Sequence, residues 1–395
     1  MIKKNPTTLI LFFLLLISIP LFATTAQENP PDDPVEIGVT QFNHIWPNSR
    51  TIFIEEPNSY ETFIPVIFHP AEPKAIGPFG GSVTALAISP TPPYVVYAGT
   101  YGGGLFISAD RGKSWAYSSK GLTNPYVLSL VIDPLNPEIL YAGTYGNGVF
   151  KSINGGLSWQ PTGPGLNEIP IVYSLVIDPK SPNNLYAATR NSGELGGGGV
   201  YASTNGGASW QARNIGLGER YVYDLAIDPS NPDVLFAATH ERGVYKTYNA
   251  GFDWTNVNIG ILDRSARTLL IDPSSPNIIY LGTWHGESIY KSDNGGGSWF
   301  SSNYGIFPAK VYSSAFDPVN PQTLYAATYF RGVFKSLTAG TNWTQVGLHL
   351  DFVYSLDIDP VDPSTILAGT MNNGIHRSEN GGSDWSSSQH GLSAT

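Results

Sequence analysis

Val127-Leu-Ser-Leu-Val-Ile-Asp-Pro134, Ile139-Leu-Tyr-Ala-Gly-Thr144, Gly148-Val-Phe-Lys-Ser152 and Asn154-Gly-Gly-Leu-Ser-Trp159 follow one another along the chain, and together they decide its fold. Each segment is short, rich in β-branched or aromatic residues and bounded by Pro, Gly, Asn or Asp, the pattern of strands joined by tight turns. The string occurs seven times from Val83 onward, with its tryptophan at Trp115, Trp159, Trp210, Trp254, Trp299, Trp343 and Trp385. Successive tryptophans are 44, 51, 44, 45, 44 and 42 residues apart, and the one long interval holds a Gly-rich insertion around Asn191 to Gly198. Four strands, A to D, in each repeat of about 44 residues describe a propeller blade; a parallel β-helix has a shorter rung, and helical repeats show a 3.6-residue period. The expected fold is all-β: a single seven-bladed β-propeller of four-stranded antiparallel blades at 78–395, preceded by a signal peptide at 1–26 and a short linker or non-repeat segment at 27–77.

Composition agrees with many short strands and turns: of 395 residues 43 are Gly and 31 Pro, and only 13% are charged. The leader reading rests on Lys3 and Lys4, an apolar run from Leu9 to Phe22, Pro20, and the small residues Thr24, Thr25 and Ala26. That run is shorter than the ~20 residues a spanning helix needs, so cleavage after Ala26 is favoured, with an uncleaved N-terminal membrane anchor as the alternative. The expected location is secreted, periplasmic or extracellular. The net charge of −10 becomes more negative once Lys3 and Lys4 leave, which argues against nucleic acid and anionic lipid as partners. Cysteine is absent, so disulfides, thiolate metal sites and a cysteine nucleophile are excluded.

Turn chemistry recurs with the strands. Strand A ends in Asp-Pro at Asp133, Asp178, Asp228, Asp272, Asp317 and Asp359, and in Ser89-Pro90 in the first copy, because proline offers no ladder N–H and stops the strand. The C–D turn reads Ser152-x-Asn154-Gly-Gly156-x-Ser-Trp159, where Asn or Asp is expected to bond to backbone two residues on, Ser or Thr to do so more weakly, and Gly to take the positive φ. The tryptophan is expected to wedge between blades with its N–H on a turn carbonyl.

These turns resemble the Asp-box, or bacterial neuraminidase repeat, of sialidases, xyloglucan-cleaving glycoside hydrolases, sortilin-type receptors and photosystem II assembly factors. The matching positions are Asp110, Asn154, Asn205, Asn249, Asn294 and Asn380, with the seven repeat tryptophans; Thr338 departs in the sixth copy. A motif present in every blade reads as structural, since an active site occurs once. The opening Gly77-Pro-Phe-Gly-Gly-Ser-Val-Thr84 also resembles the xyloglucan-cleaving hydrolases, a likeness that implies a catalytic Asp after the strand-B threonine of the first blade. Tyr101 stands there, and no second propeller follows to carry a second carboxylate, so the reading inclines against an enzyme.

Strand B ends in threonine in every copy, while the residues after it vary: Tyr101, Tyr145, Arg190, His240, Arg242, Trp284, His285, Tyr329, Phe330 and Arg331. A constant frame with one diversified face suits a binding surface, and these ten are the candidate ligand contacts. The expected function is a secreted, non-catalytic binding or assembly scaffold with a protein or glycan ligand on the face of the B–C and D–A loops. The alternative is a carbohydrate-active protein, hydrolase-like or glycan-binding. No cofactor and no metal are expected. Within strand A the third position is small except at Asp224, and Asp357 occupies a position that is apolar elsewhere; either is expected to touch water in the central channel, or alternatively to help hold a cation there.

Overall fold

A computed structural model describes residues 82–166, 170–191, 198–218 and 220–388. The leader and the 27–77 segment lie outside the described residues. Seven sheets form, each of four antiparallel strands taken in order from one repeat, so every blade is built from contiguous chain. The inner strands A are Val83–Ile88, Val127–Ile132, Pro170–Ile177, Val222–Ile227, Ala266–Ile271, Val311–Phe316 and Val353–Ile358. Each neighbours strand A of the next blade, and that of blade 7 neighbours that of blade 1, which closes the ring around a central channel.

Strand B carries the core. In blades 1, 2, 4, 5, 6 and 7 all five of its residues are buried, because neighbouring blades cover both faces. A strand covered on both sides reads as a continuous apolar run, as in Val96–Thr100, rather than alternating. Strand D is short and exposed, as at Gln160–Pro161. The repeat tryptophans sit between blades. Trp159 packs with Tyr97 and Leu105 of blade 1 and with Leu140 and Phe150 of its own blade, and its indole N–H donates to Ser118 O at 2.8 Å.

In the C–D turn the Ser bonds two residues on, as expected, but the Asn or Asp reaches farther. Asn154 Oδ1 accepts from the N–H of Ser158, four residues on, while Ser152 Oγ takes the N–H groups of Asn154 and Gly156. Asp110 likewise accepts from the N–H groups of Lys113 and Ser114. A ten-atom Asx loop is too small here: two glycines at positive φ, Gly155 and Gly156, swing the chain outward, and the side chain spans the wider turn. A clamp that the sequence reading missed holds the turn from outside. Tyr141 Oη and Lys151 Nζ of blade 2 both donate to Gly206 O in the C–D turn of blade 3, at 3.1 and 2.9 Å. Tyr280 and Lys291 grip Ala339 O, and Tyr325 and Lys335 grip Gly381 O, in the same way. The recurring strand-B tyrosine and strand-C lysine were the available signal.

The invariant threonine has an equally local cause. The Oγ1 of Thr100, Thr144, Thr189, Thr239, Thr283, Thr328 and Thr370 donates to the carbonyl of the residue that opens strand C or directly precedes it, at 2.7–3.4 Å. Each closes the B–C hairpin from a fully buried position. Thr144→Val keeps the shape and deletes the donor, and should cost about 1 kcal/mol in urea unfolding. An unchanged midpoint would show that the hydroxyl contributes nothing.

Among the described residues each blade keeps four strands of its own, and side chains join blade 7 to blade 1. Asp357 Oδ2 of blade 7 accepts from Ile88 N–H of blade 1 at 2.8 Å, Arg377 Nε donates to Arg111 O at 3.0 Å, and Leu367 and Ile375 pack against Val83, Phe106 and Trp115.

Candidate functional site: an aromatic collar at the channel mouth

In every blade the A–B pairing slips by one residue within strand A, directly after Val83, Val127, Val172, Val222, Ala266, Val311 and Val353. The slip is a β-bulge, which re-aims the extra residue. The seven bulged residues are Thr84, Leu128, Tyr173, Tyr223, Arg267, Tyr312 and Tyr354, and all of them line one cavity at the channel mouth, with a volume of about 470 Å³. The third-position residues, Ala85, Ser129, Ser174, Asp224, Thr268, Ser313 and Ser355, line it just below. Sequence reasoning followed the third position and passed over the second. A register slip is not written in any one strand, although the recurring Val-Tyr at 172–173, 222–223, 311–312 and 353–354 was a visible clue.

Of the ten candidate contacts, Tyr101, Tyr145, His240 and Trp284 line this cavity. Tyr101 meets Tyr126 and Tyr145 edge to face, with ring centroids 4.9 and 6.0 Å apart. His240 lies 5.8 Å from both Tyr221 and Tyr223. Trp284 packs on Tyr312 at 4.9 Å, and Tyr312 on Tyr354 at 5.4 Å. Tyr329 stands behind the wall against Phe352, at 4.6 Å, and Phe330 projects to solvent beside it. Lys310 places its ammonium 4.8 Å from the Trp284 ring and 5.2 Å from Tyr329.

None of Arg190, Arg242 and Arg331 lines the cavity. Arg331 donates to the carbonyls of Ile306 and Pro308 and so ties down the loop between blades 5 and 6. Arg190 stacks on Tyr221 at 4.5 Å and hydrogen-bonds Tyr173 and Tyr221, bracing the wall from outside. Arg242 is exposed and does not line the cavity. His285 also turns outward, with its Nδ1 3.5 Å from Asp263. Loop side chains reach the nearest carbonyl or ring, and D–A loop carbonyls left unpaired by strand D offer those acceptors first. The arginine that does enter the cavity is Arg267, from the inner strand.

Two inner-strand carboxylates bond to backbone across a blade boundary, and one of them, Asp224, also lines the cavity. Asp224 accepts from the N–H groups of Leu225 and, across the blade boundary, Leu269 at 2.8 Å; Asp357 does the same with Ile358 and Ile88. Burial outweighs these bonds and raises both carboxyls. Among the described residues no group of three His, Cys, Asp or Glu converges on one point. Burial also raises the Tyr101, Tyr312 and Tyr354 hydroxyls, so the collar keeps its phenolic protons. A second cleft, between blades 7 and 1, holds Arg111, Lys113, Arg377 and Glu379; its charges pair with one another, and it belongs to ring closure.

No protein-family model and no curated protein matches the chain. Solved structures do. A GH74 xyloglucanase from Xanthomonas campestris is similar over 80% of this chain and 55% of its own, at 19% identity and a TM-score of 0.64. The extracellular domain of a hybrid two-component system from B. thetaiotaomicron is similar over 76% of this chain and 38% of its own, at 16% identity and a TM-score of 0.59. YCF48 from Cyanidioschyzon merolae is similar over 77% of this chain and 97% of its own, at 13% identity and a TM-score of 0.56. At these identities the likeness shows the propeller fold, and the chain spans about half the length of the xyloglucanase. Among the described residues no helix is long and apolar enough to cross a membrane.

Proposed function

We propose that this chain is a non-catalytic binding propeller whose ligand, a glycan, seats in the aromatic collar at the channel mouth. The reading rests on one observation: seven bulges direct one residue each into a single cavity, and four of those residues are tyrosines joined there by Tyr101, Tyr145 and Trp284. Ring faces of this kind stack on the C–H faces of a pyranose, and the cavity falls within the roughly 300–1,000 Å³ of small-ligand sites. The propellers of a xyloglucanase and of an extracellular sensor domain support a carbohydrate-related, extracytoplasmic role. Glycoside hydrolysis needs two opposed carboxyl groups. The cavity wall has one, Asp224, and both its oxygens accept backbone N–H groups. The Asp-box-like turns then serve the frame, each gripped by the neighbouring blade.

Titration calorimetry with oligosaccharides found on a glycan array tests the reading. Trp284→Ala and Tyr101→Ala should each weaken binding by about tenfold, the scale of a lost aromatic anchor, while the melting midpoint stays put. No reducing sugar should be released. Binding that ignores both substitutions yet fails in Asn154→Ala would move the ligand to the C–D turn face and sink the assignment.

A further inference from the structure

We infer that Arg267 makes the collar selective for a sugar carrying a carboxylate, so that the ligand class is an oligosaccharide ending in a hexuronate; this rests on the glycan-binding reading above. The guanidinium carbon of Arg267 lies 4.3 Å from the ring centroid of Tyr223, 4.8 Å from Tyr312, 5.8 Å from Tyr173 and 5.9 Å from Trp284. Rings on this scale of separation hold a cation in place. They leave its N–H groups unused, since an aromatic face accepts little in the plane of the guanidinium. Among the described residues no carboxylate pairs with Arg267 and no oxygen accepts from it, unlike Arg111, Arg331 and Arg377, which all have such partners. The single carboxylate of the wall, Asp224, spends its oxygens on Leu225 and Leu269. The half-buried guanidinium keeps its nitrogens open to the cavity, so a ligand entering the channel mouth can reach its five donors.

The acceptor that fits is planar and bidentate. A carboxylate matches the guanidinium fork, and a sugar carboxylate is coplanar with neither ring face, so the pyranose can lie against Tyr223 or Tyr312 while its carboxylate reaches Arg267. The net charge of −10 opposes a densely charged polyanion, which points to one terminal uronate rather than a polyuronate run. Arg267 enters through a bulge, at the position where other blades carry Thr84, Leu128 or tyrosine, so its guanidinium is placed by the rigid inner strand and not by a loop.

The test compares matched ligands by calorimetry: di- and trisaccharides ending in glucuronate, the same sugars as methyl esters, and their neutral glucose counterparts. The acids should bind the unmodified protein at least about tenfold tighter than the esters, as a charge-assisted bidentate pair demands. Arg267→Gln should erase that preference without moving the melting midpoint, and Arg267→Lys should restore part of it. Equal affinity for acid, ester and neutral sugar overturns the inference and leaves the glycan-binding reading standing. A preference for the acid that survives Arg267→Gln places the carboxylate elsewhere and also overturns it. Binding of none of the three sets overturns both readings together. Should Arg267→Gln fail to fold, Arg267→Lys decides: an acid-over-ester ratio smaller than that of the unmodified protein supports the inference, and an equal ratio overturns it.

Discussion

Trp159→Ala is expected to destabilise the propeller by about 3–5 kcal/mol, the range for deleting a fully buried large aromatic. The side chain is 1% exposed and fills the seam between blades 1 and 2 against Tyr97, Leu105, Leu140 and Phe150. Its loss also strands Ser118 O, which now accepts the indole N–H at 2.8 Å. Both effects act on an interface, so the damage is to the docking of one blade on the next. For repeat architectures that interface term carries most of the cooperativity. Urea unfolding followed by circular dichroism measures it, with Trp159→Phe as the control that keeps most of the volume and drops the N–H. A cost below about 1 kcal/mol for the alanine variant would mean that the seam is not held by the tryptophan.

Asp357→Asn is expected to change how stability depends on pH. Burial, the larger effect, pushes the Asp357 carboxyl up to about 7; the N–H groups of Ile358 and Ile88 oppose the rise, and the nearby Asp359 carboxylate adds to it. Asp359 is itself paired with Arg111 at 3.4 Å. With a native value above that of the unfolded chain, the native state binds the proton more tightly. Its contribution is then fully present below about pH 4 and is lost as pH rises through about 7. At 1.36 kcal/mol for each pH unit, and discounted for the partial exposure of Asp357, the term amounts to about 2–4 kcal/mol. The difference between the unfolding free energies of the unmodified protein and Asp357→Asn should therefore fall by about 2 kcal/mol or more between pH 5 and pH 8, in favour of the variant at the higher pH. Other titrations cancel in that difference. A difference that does not vary with pH would show Asp357 ionised throughout.

The framework of this protein was legible because it is local and repeated. Seven copies of one string state the strand count, the turns and the buried tryptophan without any knowledge of how blades meet. The strand-A Asp follows the same rule: Asp133 Oδ1 caps the N–H groups of Leu135 and Asn136, within three residues of itself. Contacts between repeats were harder to read. The tyrosine and lysine clamp joins Tyr141 to Gly206, 65 residues away, and no pattern within one repeat says that the two will touch.

The candidate site shows the same division more sharply. The residues after the strand-B threonine announce themselves by varying, and Tyr101, Tyr145, His240 and Trp284 do line the cavity. Arg190, Arg242 and Arg331 vary as freely, yet two of them brace the frame and the third faces water, because loop direction depends on which carbonyls and rings lie nearby. Arg267, Tyr173, Tyr223, Tyr312 and Tyr354 looked like ordinary inner-strand residues. By itself the sequence determined the blade, its number and the turns, since those follow from alternation, proline, glycine and a repeated tryptophan within reach of one another along the chain. Only the tertiary structure decided which side chains face the channel, since a one-residue slip between paired strands turns a residue from one side to the other, and that slip exists only where two strands meet.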